Sequence, residues 1–154
     1  MGNWYGKKIL FDTSIHLLNK DKVDPKYTFD IYAPSAPFYV LQYFQADCDK
    51  CLYGLQVAKD YIKKTEKDHP NLRYAFIASG PTTLYVKEAI EKLSFPFPVY
   101  FDGVYLGFHK INHFPDDNLY HTMLLNNKNE VELFGGYYSN SKAAGLFSEI
   151  INCH

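Results

Sequence analysis

An α/β sandwich with a central mixed sheet flanked by helices is the fold class that the sequence predicts, and three observations carry it. Phe38 to Phe44 has too few polar positions for a surface strand, and it leads into a stretch with helical apolar spacing at Leu52, Leu55, Ala58 and Ile62. A second strand-then-helix pair follows, Asn71 to Ala78 and then Thr82 to Leu93. A hairpin and one more amphipathic stretch close the chain, the order expected when strands and helices alternate around one sheet.

The elements follow in order. Lys8 to Phe11 is a short apolar burst that reads as an edge strand, with Ile15, Leu17 and Leu18 in a loop after it. Asn19 to Lys26 is a charged connector. Thr28 to Tyr32 alternates with period two and predicts a half-buried strand, stopped by Pro34 and Pro37. The helix after the central strand runs to about Thr65, its outer face lined by Lys59, Lys63, Lys64 and Lys67. Ser79-Gly80-Pro81-Thr82 carries turn and cap chemistry before the second helix. Phe95-Pro96-Phe97-Pro98 is a stiff link to a short strand, Val99 to Phe101, and Asp102 to Phe114 holds one or two helical turns. Leu119 to Leu125 and Glu130 to Phe134 flank the turn Asn126 to Asn129. A final helix, Ser139 to Ile151, places Ala143, Leu146, Phe147, Ile150 and Ile151 on one face, with Ser139 or Asn140 as its cap. His16 and His69 fall in connectors and read as surface residues, and Tyr43, Phe44 and Tyr53 read as core.

The 154 residues suit one domain, with 1–37 as an N-terminal β extension and 38–152 as the core. A net charge of −1, with every basic residue a lysine except Arg73, gives no attraction to nucleic acid and no arginine cluster for phosphate. No run approaches the ~20 apolar residues of a membrane span, and Met1-Gly2-Asn3-Trp4 does not open a signal peptide. Glycine-rich phosphate loops and the G-x-S-x-G elbow of serine hydrolases are absent. Three cysteines are too few for a disulfide scaffold, and the odd one, Cys153, sits in the tail.

Chemistry concentrates at Cys48-Asp49-Lys50-Cys51. A C-x-x-C pair where a strand meets a helix N-terminus is electrostatically special, because unpaired N–H groups and the positive end of the helix dipole stabilise a thiolate. Cys48 is the expected nucleophile, and Cys51, one turn on, is placed to resolve a mixed disulfide. Lys50 favours the thiolate while Asp47 and Asp49 oppose it, so the pair leans toward a reductant or weak exchanger. A structural disulfide and a metal site are the alternatives. The latter has only two cysteines here and would need Cys153, His154, or one of His109, His113 and His121 to complete it.

A thiol pair after the first central strand, with a closing hairpin and helix, is the layout of a thioredoxin-like sandwich. Phe44-x-x-x-Cys48-Asp49-Lys50-Cys51, together with Thr122 to Val131, resembles the thioredoxin-like (TlpA/ResA-like) thiol–disulfide oxidoreductases of the bacterial envelope. Gly6-Lys7-Lys8-Ile9 and Asn112-x-Phe114-Pro115 are similar to the Bacteroidetes thioredoxin-like lipoproteins. The chain departs from that pattern twice. Asp47 stands where an aromatic, usually Trp, precedes the first Cys, and Tyr120-His121-Thr122 aligns with the run that carries the family's cis-proline. That proline would cover the sulfurs and dock a substrate strand; its loss opens the pair to metal ions.

The resemblance implies thiol–disulfide exchange on protein or small-molecule thiols in the bacterial cell envelope or periplasm. It implies no bound cofactor and a redox partner that resets Cys48 and Cys51. Asp47, Lys50, Tyr120 and His121 are the expected docking or proton-relay residues, His121 because the alignment sets it opposite the cysteines. A thioredoxin-fold binding module with a static disulfide, or a metal-binding variant, are the contrasting functions.

Overall fold

The computed structural model describes residues 4–45, 49–104, 107–114, 121–135 and 141–152. Within them the strands are β1 (His16–Leu17), β2 (Phe38–Gln45), β3 (Arg73–Ser79), β4 (Val99–Phe101), β5 (His121–Asn126) and β6 (Val131–Phe134). The helices are α1 (Asp49–Thr65), α2 (Thr83–Lys92), α3 (Gly107–Ile111) and α4 (Ser141–Asn152). One mixed sheet runs in the order β1-β4-β3-β2-β5-β6. Strands β2, β3 and β4 are parallel; β5 is antiparallel to β2, β6 to β5, and β1 to β4.

All eight residues of β2 are buried, as a strand covered on both faces requires. Alternation along the strand divides the core in two. Val40 and Phe44 join Phe76 and Leu124 on the face that also takes Leu55, Ala58 and Ile62 of α1, Val86 and Ile90 of α2, and Phe147 of α4. Tyr39, Leu41 and Tyr43 face the other way, where Ile9, Ile15, Phe29 and Ile31 of the N-terminal segment and Phe108 of α3 cover them. Three helices therefore lie on one face, while the extension and α3 close the other.

The N-terminal β extension is slighter than its pattern suggests. Lys8 makes one antiparallel bridge to Glu130 rather than an edge strand across 8–11. The two-residue β1 lies where a loop was expected, pairing His16 with Phe101. Thr28 to Tyr32 is not a strand, although Phe29 and Ile31 are buried and their neighbours exposed as the alternation predicts. Among the described residues no strand pairs with it. The Tyr100 hydroxyl takes that place, donating to Phe29 O at 2.9 Å and accepting from Ile31 N–H at 3.3 Å.

Two buried asparagines fasten this extension. Asn19 donates to Phe97 O and accepts from Val99 N–H, both at 2.9 Å. Asn112 accepts from Leu10 N–H at 2.8 Å and donates to Leu10 O at 3.0 Å. Each carboxamide presents the same donor and acceptor as a peptide group, so it supplies a ladder rung where the backbone does not form one.

Smaller departures have local causes. Thr82 sits at the α2 N-cap without a side-chain cap bond. Lys59 is not part of a wholly solvated lysine face, because its ammonium donates to Leu93 O at 2.6 Å and caps the C-terminus of α2. Leu146 is 43% exposed although its spacing put it with Phe147, which is buried. The expected caps of the last helix, Ser139 and Asn140, lie outside the described residues.

Candidate active site

Strand β2 ends at Gln45 and α1 begins at Asp49, so the chain turns from strand to helix across the segment that carries the first cysteine. Cys48 and Asp47 lie outside the described residues, as does Tyr120. Lys50 and Cys51 occupy the first turn of α1. His121 opens β5 and pairs in register with Tyr43, two residues before the end of β2. The backbone thus brings α1's first turn and His121 to one end of the sheet, the end at which the parallel strands finish.

Along α1, Leu55, Ala58 and Ile62 form a stripe buried against the sheet. The opposite stripe holds Tyr53 and Val57, which are 70% and 36% exposed. This corrects the expectation that Tyr53 is core: its position on the helix turns it outward.

A layer of buried polar residues lies at the same end, and sequence reasoning missed it. Gln42, Gln45, Ser79 and Thr122 are at most 8% exposed. They form two cross-strand pairs on opposite faces of the sheet: Gln42 and Thr122 on the α1 face, Gln45 and Ser79 on the face of Tyr43. Amides and hydroxyls inside a central strand carry a desolvation cost, and the interruption of Leu41 to Gln45 by two glutamines was the signal available. On the face of Tyr43, buried His109 of α3 lies beside that ring, with ring centroids 6.4 Å apart, and also meets Phe114.

Asp102 follows β4, its N–H donating to Ala78 O at 2.9 Å. Its carboxylate accepts from Phe108 N–H at 2.8 Å and from Val104 N–H at 3.2 Å, tying down the loop that starts α3. Burial raises its pKa above the ordinary 3.8, with the hydrogen bonds from Phe108 and Val104 pulling the other way. A raised folded-state value means that the folded protein holds more protons than the unfolded chain, so this residue's contribution to stability declines as pH rises from 3.8 through the folded value. Asp102→Asn, followed by urea denaturation from about pH 3.5 to pH 8, is expected to show a wild-type-minus-variant difference that falls over that window and is flat above it.

The remaining histidines are dispersed. His16 is exposed in β1, with its ring edge toward Phe101. His69 is half-buried rather than a free surface residue and meets Phe147. His113 is exposed. Among the described residues, no group of three or more His, Cys, Asp or Glu side chains is arranged to hold a metal ion, and no helix is long and apolar enough to cross a membrane.

Sheet order, crossovers and the strand-to-helix junction at the cysteine pair together define a thioredoxin-like fold. The thioredoxin domain of a thiol-disulfide oxidoreductase from Bacteroides vulgatus superposes with a TM-score of 0.61 at 12% identity, over 96% of this chain and 97% of that one. A thiol-disulfide oxidoreductase from Bacteroides fragilis gives 0.56 at 18% identity, over 71% and 80%. A thioredoxin-related protein from Neisseria meningitidis serogroup B gives 0.61 at 13% identity, over 82% and 93%. No protein-family model matches the sequence, and no curated protein matches it.

Proposed function

We propose that this chain is a thiol–disulfide oxidoreductase in which Cys48 attacks and Cys51 resolves. The observation that carries this is the position of the C-x-x-C motif in the fold: it spans the junction of the central parallel strand β2 and the N-terminus of α1. The first helical turn favours negative charge through its unpaired N–H groups, which lowers the cost of a thiolate there.

The Cys48 thiolate attacks one sulfur of a substrate disulfide, forming a mixed disulfide and expelling the other substrate sulfur as a thiolate. The Cys51 thiolate then attacks the Cys48 sulfur. The Cys48–Cys51 bond forms and the second substrate sulfur leaves. Two electrons pass to the substrate, whose thiolates take up the two protons given up by the cysteines, and a separate dithiol returns the pair to its reduced form. Asp47 and Asp49 set two carboxylates against the single ammonium of Lys50, which keeps the thiol less acidic than in strong oxidants and makes reduction of substrates the favoured direction. The resemblance supports docking or proton-transfer roles for Asp47, Lys50, Tyr120 and His121. Substrates are protein or small-molecule disulfides, and the resemblance to envelope oxidoreductases supports a location in the bacterial cell envelope.

The test is mass-spectrometric counting of alkylated cysteines after equilibration across a series of glutathione poises. Cys48 and Cys51 are expected to open and close together, reversibly, in the folded protein, at a potential well below the about −120 mV of strong oxidants. A bond that stays closed until the chain unfolds would instead make this a binding module with a structural disulfide. Stoichiometric zinc or iron lost on Cys48→Ser would make it a metal protein.

A further inference from the structure

At the end of the sheet away from the cysteine pair, a cavity of about 360 Å³ opens beside the start of β3, a volume that suits a small molecule. Arg73 pairs there with Tyr39, near the beginning of β2, whereas the cysteines follow the end of that strand. Leu72 and Pro70 give the cavity an apolar lining, and its polar groups fall into two sets. Glu66, just after α1, is committed. One of its oxygens accepts from the Tyr27 hydroxyl, which itself accepts from Lys63 Nζ at 3.2 Å, and the other faces Lys26 Nζ at 3.8 Å. Its negative charge is thus met by two ammonium groups.

Arg73 and Tyr74 are not committed in this way. Arg73 Nη1 donates to Pro70 O and Leu72 O, both at 3.2 Å, so backbone carbonyls hold the guanidinium in place while, among the described residues, no carboxylate pairs with it. Tyr74 is only 3% exposed, yet its hydroxyl makes no hydrogen bond among the described residues, and the residue lines the cavity. A phenol enclosed to that degree ordinarily has a partner. Burial, with the nearby Glu66 charge, raises its pKa above the ordinary 10, so the hydroxyl keeps its proton and can donate at every working pH. We infer that this cavity binds a small organic carboxylate. The Arg73 fork takes the two carboxylate oxygens, the Tyr74 hydroxyl donates to one of them, and the ligand's apolar body lies against Leu72 and Pro70. A planar guanidinium matches a carboxylate through two parallel hydrogen bonds, and one fork with one hydroxyl suits two oxygens better than the larger oxygen set of a phosphate.

The test titrates the full ¹⁵N-labelled chain with sodium benzoate in low-salt buffer and follows its backbone amide and arginine side-chain NMR signals. Saturable shifts centred on residues 70–74 are expected, with a dissociation constant in the millimolar range or tighter. Arg73→Lys keeps the charge and loses the fork, and Tyr74→Phe removes a single oxygen; each is expected to weaken binding about tenfold. Tyr74→Phe breaks no hydrogen bond among the described residues, so it decides by the same criterion if Arg73→Lys does not fold. Shifts that stay linear in benzoate, or variants that bind as the parent does, overturn the inference. So does equal binding of benzylammonium, which has the same ring and the opposite charge, or displacement of benzoate by a lower concentration of inorganic phosphate. The glutathione titration is independent of this result, because the cavity lies apart from the cysteines and neither outcome there bears on benzoate binding.

Discussion

Cys48→Ser is expected to abolish catalysed disulfide reduction, leaving only the rate of the reducing agent in the assay. The effect is total rather than partial because a serine hydroxyl forms no mixed disulfide, and in this mechanism Cys51, in the first turn of α1, acts only on a mixed disulfide already formed at Cys48. Cys51→Ser should behave differently. It retains attack but cannot resolve, so it should accumulate one covalent substrate adduct per chain, visible as a mass increase that a thiol reductant removes. Insulin turbidity for the first variant and intact mass for the second are the measurements. Residual catalysis in Cys48→Ser would show that the exchange is carried elsewhere.

Phe97→Ala is expected to be the most damaging core substitution, costing about 3–5 kcal/mol. Phe97 is fully buried in the proline-flanked link before β4, and its ring meets Tyr27 at 4.6 Å, Phe95 at 5.3 Å, Tyr74 at 5.7 Å and Phe76 at 5.9 Å. Four aromatic partners from the extension, β3 and the link converge on one ring, so truncation leaves a cavity that no single neighbour can fill. Against a total stability of about 5–15 kcal/mol for a domain of this kind, the loss should appear as a large fall in the urea midpoint with an unchanged slope. A cost below about 1 kcal/mol would mean that the surrounding rings collapse onto the gap.

The central part of the chain was legible because pattern and partner agree there. The apolar run of β2, the spacing of Leu55, Ala58 and Ile62, and the short Val99–Phe101 strand each correspond to an observed element. Period two at Thr28 to Tyr32 correctly marked which residues are buried, but alternation does not say whether a second strand faces it; Tyr100, some 70 positions later, supplies the bonds instead. Tyr53 was misassigned because an aromatic residue was weighed by type rather than by its angle on the helix. For the site, the strand-to-helix junction between β2 and α1 was readable from strand and helix periodicity, and the backbone of His121 pairs with Tyr43 near the end of β2. The polar layer was not, because a glutamine in a central strand announces burial only once its neighbours on β3 and β5 are known.

The carboxamides of Asn19 and Asn112 join residues 78 to 102 positions apart, and Gly6 N–H reaches Val131 O across a still longer span. Contacts this distant are slow to close, since the intervening loop must give up its freedom first. On the ribosome, the opening segment emerges earliest yet must wait, unseated, until nearly the whole polypeptide has followed it. The lower face of the sheet, with Tyr39, Leu41 and Tyr43, stays uncovered for that interval, so the nascent chain is most prone to aggregate just before its own beginning folds back over it.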